Sequence, residues 1–243
     1  MEASSAESYL AGASVSPAVF KLRPDYRAVL LVVSGIQPSA SDPCSEALLQ
    51  EAEAPARASL SKMPVTEIPH VAAWREAYKA FGAKPNKHRN SLEALTRRIG
   101  PDTGLPRVNR LTDIYKAISV KYQIPLGGED LDKYSGPPKL VIATGQEVFE
   151  IKERGELVKE HPDAGEVVWT DDIGVTCRRW NWRQGPRTAL TDDTHRILFI
   201  CDALDAISDQ GLEEGIKALK EEFRKLGPDV QIAQRVISVD SKI

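Results

Sequence analysis

Cys44, Cys177 and Cys201 are the only cysteines among 243 residues, and their spacing pairs none of them. They are too few and too scattered for a disulfide framework or a zinc knuckle, and free thiols of this kind suit a reducing compartment. Histidine is sparse as well: His70, His88, His161 and His195 stand apart, with no His-x-x-x-His pair to grip a metal. There is no Gly-x-x-x-x-Gly-Lys-Ser/Thr loop for nucleotide phosphates, no Gly-x-Gly-x-x-Gly dinucleotide turn and no Gly-x-Ser-x-Gly elbow. The longest apolar run, Ala28 to Val33, falls far short of the ~20 residues that cross a bilayer. Met1-Glu-Ala-Ser-Ser carries an acid where a secretory leader would carry basic residues. The expectation is a soluble, cytoplasmic protein without metal or cofactor, and neither a metalloenzyme nor a serine hydrolase.

What is present is an ordinary globular composition, 42% hydrophobic and 28% charged. The net charge of −3 conceals an asymmetry. Residues 71–125 hold eleven Lys/Arg against four Asp/Glu, whereas the segments on either side are acidic. A basic block attracts phosphate even in an acidic protein. The same charges also suit a solvated helical face, so charge alone leaves both readings open.

No fixed-period repeat occurs, which excludes solenoids and propellers. Tyr26 to Gly35 is β-branched and apolar and reads as a buried strand. Asp42-Pro43 opens a helix to about Leu60 that Pro55 must interrupt or kink. Trp74, Tyr78 and Phe81 recur at helical spacing before Gly82. Asn90 with Glu93 starts another helix in the manner of a capping box, and a third begins near Asn109 with Leu111, Ile114 and Ile118 inward. Beyond Gly127-Gly128 the chain turns to short strands, including Leu140–Ala143, Glu147–Ile151, Glu166–Thr170, Val175–Trp182 and Arg196–Cys201. An amphipathic helix with Leu212, Ile216, Leu219 and Phe223 on one face follows, and Val230–Val239 closes as a strand. The expected fold is α+β: a single domain over residues 19–243, preceded by an N-terminal extension over 1–18. Its helices would pack mainly on one face of a mixed sheet.

Two places suggest chemistry. On a strand, Trp180 and Trp182 would share one face of Cys177-Arg-Arg-Trp-Asn-Trp-Arg-Gln-Gly, and Arg179, Asn181 and Arg183 the other. That pattern describes either two core indoles with solvated arginines or a pocket wall where Asn181 and Arg183 hold a polar ligand beside an aromatic surface. Asn109 and Asp113 are four apart at a helix start and share a face. Asn109 also fits a plain N-cap and Asp113 a plain ion pair with Lys116.

Trp74-Arg-Glu-Ala-Tyr-Lys-Ala-Phe-Gly, Arg89-Asn-Ser-Leu-Glu-Ala-Leu and Leu105-Pro-Arg-Val-Asn-Arg-Leu-Thr-Asp113 resemble the free-standing B3/B4-domain proteins. So do Ile124-Pro-Leu-Gly-Gly-Glu-Asp-Leu-Asp132, Ala143-Thr-Gly-Gln-Glu147, Gly165 to Asp171 and Cys177 to Gly185, in order along residues 20–235. These proteins are relatives of the tRNA-editing domain in the bacterial phenylalanyl-tRNA synthetase beta subunit, which hydrolyses mischarged tyrosyl-tRNA. The resemblance implies an aminoacyl-tRNA editing hydrolase acting on its own. The alternative is a non-catalytic module that keeps the pocket for RNA or a small molecule. tRNA or aminoacyl-tRNA is the implied partner, with no DNA and no membrane. Asn109, Asp113, Trp180, Asn181, Trp182, Arg183 and Thr188 would bind the aminoacyl end, and Lys84, Lys87, Arg89, Arg97 and Arg98 the tRNA. No catalytic residue is named. The editing-site histidine of the synthetase falls on Gly127, and its tyrosine-sensing glutamate has no clear counterpart, with Glu147 or Glu166 as candidates to replace it. Tyrosyl-tRNA specific for phenylalanine is therefore not the expected substrate.

Overall fold

The computed structural model describes residues 3–241. Residues 1 and 2 of the expected N-terminal extension lie outside the described residues. The elements run α1 (Ala3–Ala11), β1 (Ser14–Val15), α2 (Pro17–Leu22), β2 (Arg27–Ser34), α3 (Pro43–Leu60), α4 (Pro69–Ala80), α5 (Ser91–Thr96) and α6 (Arg110–Tyr122). They continue as β3 (Leu126–Asp130), β4 (Lys139–Ile142), β5 (Phe149–Glu153), β6 (Glu156–Glu160), β7 (Val167–Thr170), β8 (Val175–Arg178), β9 (Arg183–Gln184), β10 (Arg196–Ala203), α7 (Asp209–Arg224) and β11 (Gln231–Ile237). The fold is α+β.

The strands divide among three sheets. One is four-stranded and antiparallel in the order β11-β2-β10-β3; one is mixed and five-stranded, β1-β4-β7-β8-β9; the third is the hairpin β5-β6. In the four-stranded sheet the pleat sorts side chains by period two. Val29, Leu31 and Val33 of β2 pack with Ile114 and Ile118 of α6 and Leu212, Leu219 and Phe223 of α7. Ala28, Leu30 and Val32 point the other way, onto Trp74 of α4, Trp169 of β7 and Trp180. That second face meets the five-stranded sheet, so the two sheets and helices α1, α2 and α4 share one core. Leu10 and Val15, within the segment expected as an extension, are buried in this core, and so is Val19 beside them.

Local chemistry explains most element starts. Asp42 and Ser45 cap α3 reciprocally, Pro43 occupies its first turn, and Pro55 sits inside it. Asn90 and Asn109 accept from the N–H groups of Glu93 and Thr112 and start α5 and α6. Gly127 and Gly128, beyond which the strands are expected, are themselves strand residues of β3. Without a Cβ, Gly128 lets the Phe199 ring lie against its backbone.

Candidate binding pocket

Where the two sheets meet, β3 and β10 face the β8–β9 hairpin across a cavity of about 100 Å³, which is the space of roughly three waters. Period-two alternation aims Gly127 and Glu129 of β3, with Ile200 and Asp202 of β10, toward this seam. Trp169, Cys177 and Gln184 close it from the other sheet, and Ser91 from the start of α5.

The segment expected as one continuous strand is broken. Arg179, Trp180, Asn181 and Trp182 form the turn joining β8 to β9, which pair as Cys177 with Gln184 and Arg178 with Arg183. Arg179 and Trp180 take left-handed backbone angles, φ +46° and +67°, so the two indoles do not share a face. Trp180 is fully buried, 4.9 Å from the Tyr26 ring and 5.2 Å from that of Trp74. Trp182 stays half-buried at the rim, under the Arg179 guanidinium at 4.5 Å and edge-on to His88 at 4.7 Å. The turn is held from beneath by Glu166, which takes a bidentate contact from Arg178 at 2.9 and 2.8 Å and the Arg179 N–H at 3.1 Å.

Of the residues expected to bind ligand, Trp180, Asn181, Trp182 and Arg183 line the cavity. Arg183 is exposed at its mouth. Asn181 is buried and already engaged: its Oδ1 accepts from the Tyr78 hydroxyl at 2.9 Å, and its Nδ2 donates to Asp202 at 3.1 Å. Thr188 lies behind the wall and donates to Glu129 Oε2 at 2.5 Å. Asn109 and Asp113 are not brought to the cavity. Asn109 caps α6, and the fully buried Asp113 accepts from the Val108 N–H at 2.9 Å and the Ser41 hydroxyl at 2.5 Å, which ties α6 to the start of α3. Glu147 and Glu166 do not replace a pocket acid either. Glu147 accepts from the N–H groups of Thr144 and Gly145, and Glu166 is held by the arginines.

Sequence reasoning missed the pocket's own acids. Asp202 is buried and accepts from the Tyr26 hydroxyl at 2.5 Å and from Asn181. Burial drives its carboxyl up to about 7, against both hydrogen bonds. Burial likewise raises Glu129 to about 7, against the hydroxyls of Thr188 and Tyr134. Among the described residues neither acid forms an ion pair. Glu129 Oε1, Ser91 Oγ and the indole nitrogens of Trp169 and Trp180 are buried without a hydrogen-bond partner, and all four residues line this cavity. Native interiors leave few such groups, so their concentration here marks a place where a ligand or water completes the bonding. The signal for Glu129 was present in the sequence, as an acid alternating with Gly127 on an otherwise buried strand. The signal for Asp202 was an acid at the end of the apolar run Ile197–Cys201. The Cys177 thiol is kept protonated by burial and is no nucleophile.

The basic block adjoins this mouth. The loop from Lys84 to Arg89 leads into α5, whose Ser91 N–H donates to the Asn181 carbonyl at 3.0 Å. Lys84, Lys87, Arg89, Arg97 and Arg98 are all exposed. The buried Glu93 gathers Arg75, Arg89 and Arg97, while Lys84, Lys87 and Arg98 pair with no described acid. A larger groove of about 740 Å³ runs between Ala11–Pro17 and the end of β11. It contains none of the expected ligand residues and no cluster of buried acids. No group of His, Cys, Asp and Glu among the described residues could hold a metal, and no described helix is long and apolar enough to cross a membrane.

Among solved structures, an N-terminal fragment of the phenylalanyl-tRNA synthetase beta-subunit from Pyrococcus horikoshii is similar, at 13% identity and a TM-score of 0.43. The match covers 95% of this chain and 53% of that one, so the chain spans about half the fragment's length. No curated protein matches. Residues 73–234, most of the chain and all of the cavity wall from Ser91 to Asp202, match the B3/4 domain, and the chain belongs to that family.

Proposed function

We propose that the protein is a cytoplasmic, stand-alone aminoacyl-tRNA deacylase whose cavity receives the aminoacyl end and whose basic loop receives tRNA phosphates. The observation that carries this reading is the junction of two unlike surfaces. A small pocket with unfilled hydrogen-bonding groups opens beside Trp182 and Arg183, and the loop bearing Lys84, Lys87 and Arg89 packs against that rim through His88. A ligand with a small polar head and a polyanionic body fits both surfaces at once. Ester hydrolysis in such a pocket requires water rather than a protein nucleophile, consistent with a Cys177 thiol that burial holds protonated.

The test is deacylation of a panel of cognate and mischarged aminoacyl-tRNAs by the purified protein. The reading expects turnover of at least one species well above its spontaneous hydrolysis. It also expects little turnover of tyrosyl-tRNA specific for phenylalanine, since discrimination by a buried polar partner is worth ~10⁴–10⁵ only where the partner is in place. Tight binding without turnover of any species would make the protein a binding module.

A further inference from the structure

One buried acceptor on the β3 side of the cavity lacks a donor. Glu129 is 1% exposed. Its Oε2 accepts from Thr188, its Oε1 has no partner because the nearby Tyr134 hydroxyl donates to Thr176 at 3.1 Å, and no described cation pairs with it. Arg187, the cation whose field reaches it, is committed to Asp171 by two bonds of 2.8 and 2.9 Å. Asp202 differs, because Tyr26 and Asn181 already engage both its oxygens. Opposite registers separate the two acids. Glu129 pairs with Leu198, and Asp202 lies four residues further along β10, which is ~13 Å at the usual rise per strand residue. The open acceptor is therefore a single buried carboxyl oxygen on the wall of the cavity.

A buried carboxylate is costly unless it meets a cation that also donates hydrogen bonds. A primary ammonium supplies both, a positive charge and N–H donors for Glu129 Oε1. We propose that Glu129 makes the pocket selective for a ligand that presents a primary ammonium group. The proposal rests on the aminoacyl-end reading of the pocket and specifies it further: a free amino group is required, and an N-blocked residue is rejected. The ammonium belongs either to the α-carbon of the aminoacyl group or to its side chain.

The experiment follows the indole N–H signal of Trp169 by NMR during titration with small probes. Alaninamide carries the α-ammonium and n-butylamine a side-chain-like one; N-acetylalaninamide and n-butanol are their neutral partners. At least one amine is expected to shift the signal saturably, with an affinity at least tenfold above that of its neutral partner, and the stronger amine identifies the source. Glu129→Gln, which keeps the acceptor for Thr188 and removes the charge, is expected to erase that difference. The proposal is overturned if neither amine binds or if each binds no better than its neutral partner. It is also overturned if Glu129→Gln retains the preference with the wild-type fold, as read from its spectrum. Amine binding without hydrolysis of any aminoacyl-tRNA would sink the deacylase reading and leave this one standing, whereas hydrolysis indifferent to N-acetylation would do the reverse.

Discussion

Gln184 Nε2 lies 2.6 Å from the point where a Cβ on Gly127 would stand. The carboxamide, which also donates to the Gly128 carbonyl at 3.3 Å, thus fills the space that a side chain at position 127 would need.

The far end of a flexible side chain can move, whereas an aromatic ring in a packed core cannot do so cheaply. Gly127→Ala is therefore expected to cost under about 1 kcal/mol. Gly128→Ala, whose Cβ would stand 2.6 Å from Phe199 Cε1, is expected to cost about 1–3 kcal/mol. Urea denaturation of the two variants decides it, and equal costs would show that Gln184 is as immobile as Phe199.

Asn181 and Arg183, neighbours on the same rim, should separate cleanly. Asn181→Ala strips a donor from Asp202 and an acceptor from the Tyr78 hydroxyl, which should destabilise the fold by about 1–3 kcal/mol. Arg183→Ala removes an exposed side chain and should shift stability by less than ~0.5 kcal/mol while weakening ligand binding. Trp180→Ala, at the centre of the aromatic core, should cost about 3–5 kcal/mol. Thermal melts should show the largest loss for Trp180→Ala, an intermediate one for Asn181→Ala and the smallest for Arg183→Ala, and a stable Asn181→Ala would mean its bonds contribute little.

Stability should depend on pH in two opposed ways. Glu129 sits at about 7 in the fold, above its ordinary 4.5, so its contribution is fully present below pH 4.5 and is lost as pH rises through 7. His70 is displaced to about 4, below its ordinary 6.5, chiefly by burial. Its Nδ1 donates to the Gln123 carbonyl, and its Nε2 accepts from the Leu204 N–H and the Trp74 indole. Neutral His70 stabilises above pH 6.5, and that contribution is lost as pH falls through 4. Each term amounts to about 3 kcal/mol at most. Asp202, likewise raised to about 7, adds to the same decline, so Glu129→Gln should reduce the decline between pH 5 and 7 in denaturation curves without abolishing it and leave the acid limb intact. An unchanged decline would remove Glu129 as one of its sources.

Binding of tRNA should weaken with salt by ~0.7–0.9 log units per log unit of salt for each phosphate contacted. Lys84, Lys87 and Arg98, which have no acidic partner, should account for more of this slope than Arg89 and Arg97, which share Glu93. Charge reversal at Lys84 and Lys87 should lower the slope by about two contacts. A slope that Lys84→Glu and Lys87→Glu leave untouched would place the RNA elsewhere.

Elements whose signal is local were legible in the sequence. Asp42-Pro43, Asn90 and Asn109 mark helix starts by side-chain capping, and α3, α5 and α6 begin at these positions. The amphipathic run from Leu212 to Phe223 gives α7. The site was less legible because its shape depends on a turn that breaks the pattern. Alternation across Cys177–Arg183 places both tryptophans on one face, yet two consecutive left-handed residues rotate them apart. Neither is glycine, so nothing local announces the turn; it is imposed by Glu166 and by the cage around Trp180. Glu129 and Asp202 escaped notice for a related reason. Each lies on a strand whose partner residues come from a distant part of the chain, and only the meeting of the sheets gives them a common cavity.

Left-handed backbone at two successive residues with side chains costs of order 1–2 kcal/mol each. The turn persists because Trp180 is anchored in the core on one side and Arg178 is clamped to Glu166 on the other. Trp182, carried on its outer side between the Arg179 guanidinium and the His88 ring, is consequently in place before any ligand arrives. A ligand stacking on this indole would lose little of its binding free energy to ordering that side chain.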